Sequence, residues 1–167
     1  EGSEMKPRLL DLFCGAGGAA MGYHHAGFEV VGVDHRFQKR FPFNFIQGDA
    51  LEFCDKHGHE YDAIHASPPC QKYSNCTPVA YRQRHPDLIA PTREVLARTN
   101  RPYVIENVEN ARSLLLNPLM LCGTMFSLNI WRHRRFEIVP SIFVLVPICL
   151  HQRGPICLVR AGSHSQK

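Results

Sequence analysis

Asp11-Leu12-Phe13-Cys14-Gly15-Ala16-Gly17-Gly18-Ala19-Ala20 is the stretch that decides the fold. It joins a short apolar run, Leu9 to Phe13, to a helix-like stretch from Gly17 to His25, which Gly27 is placed to end. A glycine turn between a strand and a helix lets the backbone bend sharply and come close to a ligand at the helix N-terminus. Gly15, Gly17 and Ala20 also satisfy the spacing G-x-G-x-x-[GA]. That pattern serves nicotinamide, flavin and S-adenosylmethionine folds alike, and it is also met in a bare strand–helix turn.

The same alternation continues outward. Phe28 to Val33 is a second apolar run closing on Asp34, and Phe43 to Ile46 is a weaker third, followed by Gly48-Asp49 and a helix from Ala50 to Lys56. Tyr61 to Ala66 makes a fourth strand that runs into Ser67-Pro68-Pro69-Cys70. Leu88 to Thr99 reads as a helix, and Arg101 to Ile105 as a fifth strand ending on Glu106-Asn107-Val108. Arg135 to Val139 and Ile142 to Val146 supply two more strands. The full run from Ile142 to Leu150 reads as buried despite Pro147. Repeated strand–helix units predict an α/β fold, a single domain built on a doubly wound, mostly parallel sheet.

Composition agrees with one compact domain. The chain has 167 residues, of which 44% are apolar and 20% charged, which excludes disordered and fibrous classes. No apolar run approaches the roughly 18 residues of a membrane span, and the first ten residues lack the apolar core of a signal peptide. Seven cysteines in no disulfide-like spacing predict a reducing, cytoplasmic setting. A net charge of +4 permits a nucleic-acid partner without requiring one. Glu1 to Glu4 ahead of Met5 read as a cloning remnant, residues 5–160 as the domain, and residues 161–167 as a frayed tail.

Several residues carry candidate chemistry. Asp34, ending the second strand, suits a pair of ribose hydroxyls. Asp49 suits an adenine amino group, a helix N-cap, or both. Two prolines hold Cys70 at the carboxyl end of the fourth strand, where open α/β sheets bind ligands. It reads either as a nucleophile or as an ordinary packed cysteine. Glu106 would face Cys70 across the crevice as a proton donor or ring-nitrogen partner, or else cap the next segment. In Arg132-His133-Arg134-Arg135, arginines at alternate positions share one strand face, fit for a phosphate, a base carbonyl or a thiolate, or simply a solvated edge. Residues Gln71 to Asp87 form a polar loop long enough to suggest function. Cys149, His151, Cys157 and His164 match no common zinc spacing, so no metal is expected.

Together these motifs resemble the cytosine-5 DNA methyltransferases, in the family's order: the glycine loop, Val33-Asp34, Gly48-Asp49, Ser67-Pro68-Pro69-Cys70-Gln71 with Tyr73-Ser74, Glu106-Asn107-Val108 and Arg132-His133-Arg134. The chain looks most like the short enzymes of phages and their hosts. The resemblance implies a Rossmann-like class I methyltransferase fold, S-adenosylmethionine as cofactor and a cytosine flipped out of double-stranded DNA. It implies Cys70 as nucleophile on carbon 6, Glu106 at ring nitrogen 3, and Arg134 with Arg132 near the base carbonyl. On the cofactor side it assigns Phe13, Gly15, Gly17, Asp34, His35, Asp49, Ala50 and Pro69. Toward DNA it assigns Gln71, Ser74, Arg82 and Arg84, while Asn107 would hold the Cys70 loop. A nicotinamide oxidoreductase would explain the glycine loop but leave the cysteine and glutamate motifs idle. Ile130 stands where the family usually has glutamine. No target-recognition region or final cofactor-pocket motif is visible after Val139, so the expectation includes a split or catalytically deficient module with a second polypeptide supplying recognition.

Overall fold

The computed structural model describes residues 5–151. The expectations for residues 1–4, for Cys157 and His164, and for the tail 161–167 lie outside the described residues. Five parallel strands, β1 (Arg8–Leu12), β2 (Glu29–Asp34), β3 (Asn44–Gln47), β4 (Ala63–Ala66) and β5 (Tyr103–Val108), share one sheet with β6 (Leu119–Cys122) and β7 (His133–Val139). β7 runs antiparallel to both β5 and β6, and the order across the sheet is β3-β2-β1-β4-β5-β7-β6. Helices α1 (Gly18–His25), α2 (Ala50–His57), α3 (Val79–Arg82) and α4 (Ile89–Arg98) connect them, with short 3-10 turns between. Among the described residues no helix is long and apolar enough to cross a membrane.

Both sheet faces are covered. Leu10, Leu12, Val31, Val33, Ile64 and Ile105 pack with Cys54 of α2 and Leu96 of α4, while Leu9 and Val30 meet Ala20 of α1 and Phe41 on the other side. Burial on both faces is why β1 and β2 read as nearly continuous apolar runs rather than as alternation. Each fully buried leucine or isoleucine here contributes about 1.5–3 kcal/mol relative to exposure. The chain winds from β1 to β2 and β3 on one side, then returns through β4 and β5 on the other. β1 and β4 are neighbours at the reversal, so the loops after them open onto one crevice.

One predicted strand is not there. Residues Ile142 to Val146 have no regular structure, and Phe143 and Leu145 are 90% and 85% exposed. The β5–β7 ladder ends at the Tyr103–Val139 pair, Pro140 follows, and among the described residues no strand pairs with the segment beyond it. The seventh strand of the sheet is instead the four-residue β6, which the sequence reading missed. A second unanticipated feature ties α4 to β7. Glu137, 1% exposed, accepts two bonds from Arg93 at 2.7 Å and one from the Leu116 backbone N–H at 2.9 Å.

Candidate active site

The glycine turn after β1 is held in left-handed backbone conformations, with Phe13 at φ 58°, Gly15 at φ 50° and Gly17 at φ 87°. A Cβ on Gly17 would stand 2.9 Å from Pro42 Cδ, so glycine is needed there for space as well as for conformation. A Cβ on Gly15 would meet nothing within 4 Å, which leaves that backbone open to a ligand. Phe13 bears a strained φ for a bulky residue, a cost of about 1–3 kcal/mol that the surrounding packing must hold.

Asp34 organises the same edge of the sheet. One of its carboxylate oxygens accepts from the Gly15 backbone N–H at 3.1 Å, the other from Arg36 N–H at 3.0 Å, and its own carbonyl accepts from Gly48 N–H at 3.0 Å. The oxygen that faces Gly15 keeps a second lone pair for a further donor, while the other is also approached by His35. His35 lies with Nδ1 3.2 Å from Asp34 and its side chain 67% exposed. Asp49 caps α2 with one oxygen, which accepts from Leu51 and Glu52 N–H at 2.9 Å; the other has no partner among the described residues. Ala50 is buried behind that cap. An open glycine backbone, two carboxylates with acceptor capacity to spare and an exposed imidazole fit the hydroxyls and amino group of an adenosine moiety.

Across the crevice, Pro68 is buried while Pro69 and Cys70 are half-buried. The Cys70 carbonyl accepts from Tyr73 and Ser74 N–H at 3.0 and 2.9 Å, so the thiol sits at the first turn of the loop. Asn107, 1% exposed, donates its amide to the Pro68 carbonyl at 3.0 Å and ties β5 to that loop. Glu106 receives Arg134 at 2.6 Å. The strand register pairs Val108 with Arg134 and Glu106 with Phe136, which puts Glu106 and Arg134 diagonally on one face. Burial pulls the Arg134 guanidinium below its ordinary value, while the Glu106 carboxylate and the Cys70 and Cys76 thiols oppose that pull. Arg132 is exposed and, with Glu106 and Arg134, lines a cavity of about 630 Å³ beside α1.

The polar loop is more structured than expected, because it carries α3. Gln71 is exposed, and the Ser74 hydroxyl accepts from Cys76 N–H at 3.1 Å. Arg82 turns inward, donating to the Thr77 carbonyl at 3.1 Å, while the Arg84 guanidinium stacks 4.9 Å from the centre of the Tyr81 ring. Asn110 donates to the Tyr73 carbonyl at 3.1 Å and to Asn75 at 2.6 Å, and the Tyr73 hydroxyl donates to Asp87. The loop is thus pinned to the exit of β5.

A buried polar chain escaped the sequence reading. The Tyr23 hydroxyl lies 3.0 Å from His65 Nδ1, whose Nε2 lies 2.9 Å from the Ser67 hydroxyl, and all three residues line the same cavity as Glu106. Burial lowers His65 from 6.5 to about 4, so it is neutral at physiological pH. Beside it Asp11 is raised from 3.8 to about 7, chiefly by burial, with the Ala20 backbone N–H opposing and Asp34 adding to the shift. Its position inside the quoted glycine-loop motif was the available signal; its burial was not readable.

Strand order, the antiparallel β7 and the glycine turn after β1 define a Rossmann-like α/β fold of the class I methyltransferase type. Among solved structures the fold is similar to a methyltransferase of Entamoeba histolytica, with TM-score 0.59 and 16% identity over 81% of this chain and 53% of that one. The chain belongs to the C-5 cytosine-specific DNA methylase family, whose model matches residues 7–117. It is 30% identical over 118 residues to the type II methyltransferase M.HgiDI of Herpetosiphon aurantiacus, covering 63% of this chain and 38% of that protein. It is 26% identical over 155 residues to M.NgoFVII of Neisseria gonorrhoeae, covering 81% and 41%. A third relative, M.FnuDI of Fusobacterium nucleatum, is 32% identical over 74 residues, covering 40% and 22%. The chain therefore spans less than half the length of each of these curated relatives.

Proposed function

We propose that this chain carries the catalytic half of an S-adenosylmethionine-dependent DNA cytosine-5 methyltransferase, acting inside a bacterial or phage-infected cell. The observation that carries the reading is the Glu106–Arg134 ion pair at 2.6 Å, whose guanidinium lies in electrostatic range of Cys70. These groups stand at the carboxyl ends of β4 and β5, next to an edge suited to adenosine. S-adenosylmethionine supplies an electrophilic methyl group.

Carbon 5 of cytosine is a poor nucleophile by itself. Cys70, as thiolate, forms a bond to carbon 6 and pushes an electron pair toward carbon 5. Glu106, entering the step as the carboxylic acid, donates its proton to ring nitrogen 3 as charge develops on the ring and accepts a hydrogen bond from the exocyclic amine. Arg134 fixes Glu106, and with Arg132 it faces the base carbonyl and flanking phosphates. Once carbon 5 carried the methyl group, with the neutral thioether as leaving group, water would take the carbon 5 proton and the Cys70 sulfur would be expelled as the carbon 5–carbon 6 double bond re-forms. Asn107 is a positioning residue, since its bond to Pro68 sets where Cys70 stands. Gln71, Ser74 and Arg84 are the loop groups nearest to hand for DNA, while Arg82 acts by holding the loop together.

The test is radiolabelled methyl transfer to unmethylated duplex DNA, with a 5-fluorocytosine duplex in parallel to trap the adduct. Transfer with an adduct on Cys70, lost in Cys70→Ser while calorimetric S-adenosylmethionine affinity persists, supports the mechanism. Turnover retained in Cys70→Ser removes Cys70 from it. A module that depends on a second polypeptide for target recognition would bind S-adenosylmethionine and transfer nothing.

A further inference from the structure

Away from the active-site crevice, four side chains from three parts of the chain converge on one point. Cys122 ends β6 and His133 opens β7, and the two are paired across the ladder. Cys149 and His151 come from the irregular segment that follows β7. Their ligand atoms all lie within 4.8 Å of one another. The His151 Nε2 is 3.4 Å from Cys122 Sγ, 3.2 Å from Cys149 Sγ and 3.3 Å from His133 Nε2, and His133 Nε2 is 3.4 Å from Cys149 Sγ.

Pairwise hydrogen bonding does not account for this arrangement. An imidazole nitrogen offers one proton or one lone pair, yet Nε2 of His151 faces three partners. A tetrahedral ion with metal–sulfur bonds of about 2.3 Å and metal–nitrogen bonds of about 2.0–2.1 Å requires ligand-to-ligand edges of about 3.3–3.8 Å, close to the four distances of 3.2–3.4 Å above, with the remaining pairs within 4.8 Å. The geometry points to a closed Cys₂His₂ site for one structural zinc ion, with Cys122, His133, Cys149 and His151 as its ligands. Two thiolates and two imidazoles in a tetrahedral set select zinc over magnesium or calcium, and four protein ligands leave no open position for catalysis.

Neighbouring groups support the ligands. Thr124 donates its hydroxyl to Cys122 Sγ at 3.3 Å, and the Trp131 indole stacks on the His151 ring at 4.8 Å and 10°. Such outer contacts orient ligands and tune a site. The segment they tie down has little else to hold it, because Phe143, Leu145 and Ile148 stand largely in solvent. The ion would clamp this segment onto the β6–β7 edge. It would also fix the start of β7 between Arg132 and Arg134, so the metal would brace the strand that presents the active-site arginines. Two of the four ligands lie 16 or more residues upstream of Cys149 and are brought close only by the sheet, which is why the local spacing around Cys149 matches no common zinc pattern.

The full chain, purified under reducing conditions, is stripped with chelator and titrated with Co²⁺, then with Zn²⁺. One Co²⁺ per chain is expected, with the visible bands of a tetrahedral ion and a thiolate charge-transfer band, both displaced by Zn²⁺. Cys149→Ser and His151→Gln lie outside the core and should fold. Each should weaken Co²⁺ binding by more than about tenfold, and Cys149→Ser should also dim the thiolate band. Cys76→Ser serves as a control and should change neither. Hydrogen exchange across residues 141–151 should slow when Zn²⁺ is added to the intact chain. Absence of a thiolate band, binding indifferent to both variants, or a native Cys122–Cys149 disulfide would each overturn the proposal.

Discussion

Replacing Asp11 by asparagine tests the most unusual electrostatic feature of the fold. Asp11 is 1% exposed, and neither of its carboxyl oxygens accepts a well-formed hydrogen bond among the described residues, the nearby Ala20 N–H offsetting only part of the burial. A carboxylate in that position is costly, and burial raises Asp11 from 3.8 to about 7. For an acid with a raised folded value, stability is complete below pH 3.8. It falls as pH rises toward 7, because the unfolded chain releases the proton and the fold keeps it, and above 7 it is flat. The slope is about 1.4 kcal/mol per pH unit, so the upper bound of the loss is about 4 kcal/mol. His65 acts in the opposite sense. It is lowered from 6.5 to about 4 by burial, so its contribution is intact above pH 6.5 and is lost as pH falls toward 4, by up to about 3 kcal/mol. Between pH 4 and 6.5 the two slopes nearly cancel in the unmodified protein. Asp11→Asn leaves only the rising His65 limb and gains up to about 4 kcal/mol at pH 8. Urea unfolding of both proteins from pH 4.5 to 8.5 gives a difference curve from which all other titrating groups drop out. Parallel profiles, or an asparagine variant less stable at pH 8, would show that Asp11 is ionised and compensated in the fold, and the reasoning would fail.

Two further perturbations probe the ion pair and the cofactor edge. Arg93→Ala strands the Glu137 carboxylate, 1% exposed, with the Leu116 N–H as its remaining donor, and should cost about 3–5 kcal/mol in urea unfolding. Replacing Arg93 by methionine and Glu137 by leucine together should cost much less, and equal losses would mean that the pair is not the cause. Asp34→Ala removes an acceptor of the Gly15 and Arg36 N–H groups as well as the proposed ribose contact. It should weaken S-adenosylmethionine by roughly tenfold to a hundredfold, since each charge-assisted bond is worth about 1.5–3 kcal/mol. Calorimetry showing unchanged affinity would refute the ribose assignment.

What the sequence disclosed and what it hid separate along a physical line. β1, β2, β4 and β5 were legible because a parallel strand buried on both faces must be apolar at almost every position, and their caps and turns follow local rules. Asp49 illustrates this, since the N-cap needs only its own neighbours Leu51 and Glu52. Ile142 to Val146 carries an equally apolar signature and yet forms no strand, because a strand also needs a partner with free backbone groups, and the ladder partner of β7 ends at Tyr103. β6 shows the reverse, being four residues that the antiparallel β7 recruits although their pattern alone is too short to read. The same limit governs the sites. Cys70 and Glu106 could be placed at the same edge of the sheet because each follows or ends a legible strand, and adjacent strands in a doubly wound sheet bring such ends together. Asp11, Tyr23 and His65 belong to a buried chain fixed by which strand face meets α1, and Cys122, His133, Cys149 and His151 to a cluster fixed by a hairpin edge and a returning tail. Those relations exist only after the sheet has assembled. The arginine strand joins the two kinds of site, since Arg134 pairs with Glu106 in the legible one while the adjacent His133 belongs to the hidden one. A change in metal occupancy at His133 should therefore be felt at Arg134 and Glu106 before it is felt at the distant glycine turn.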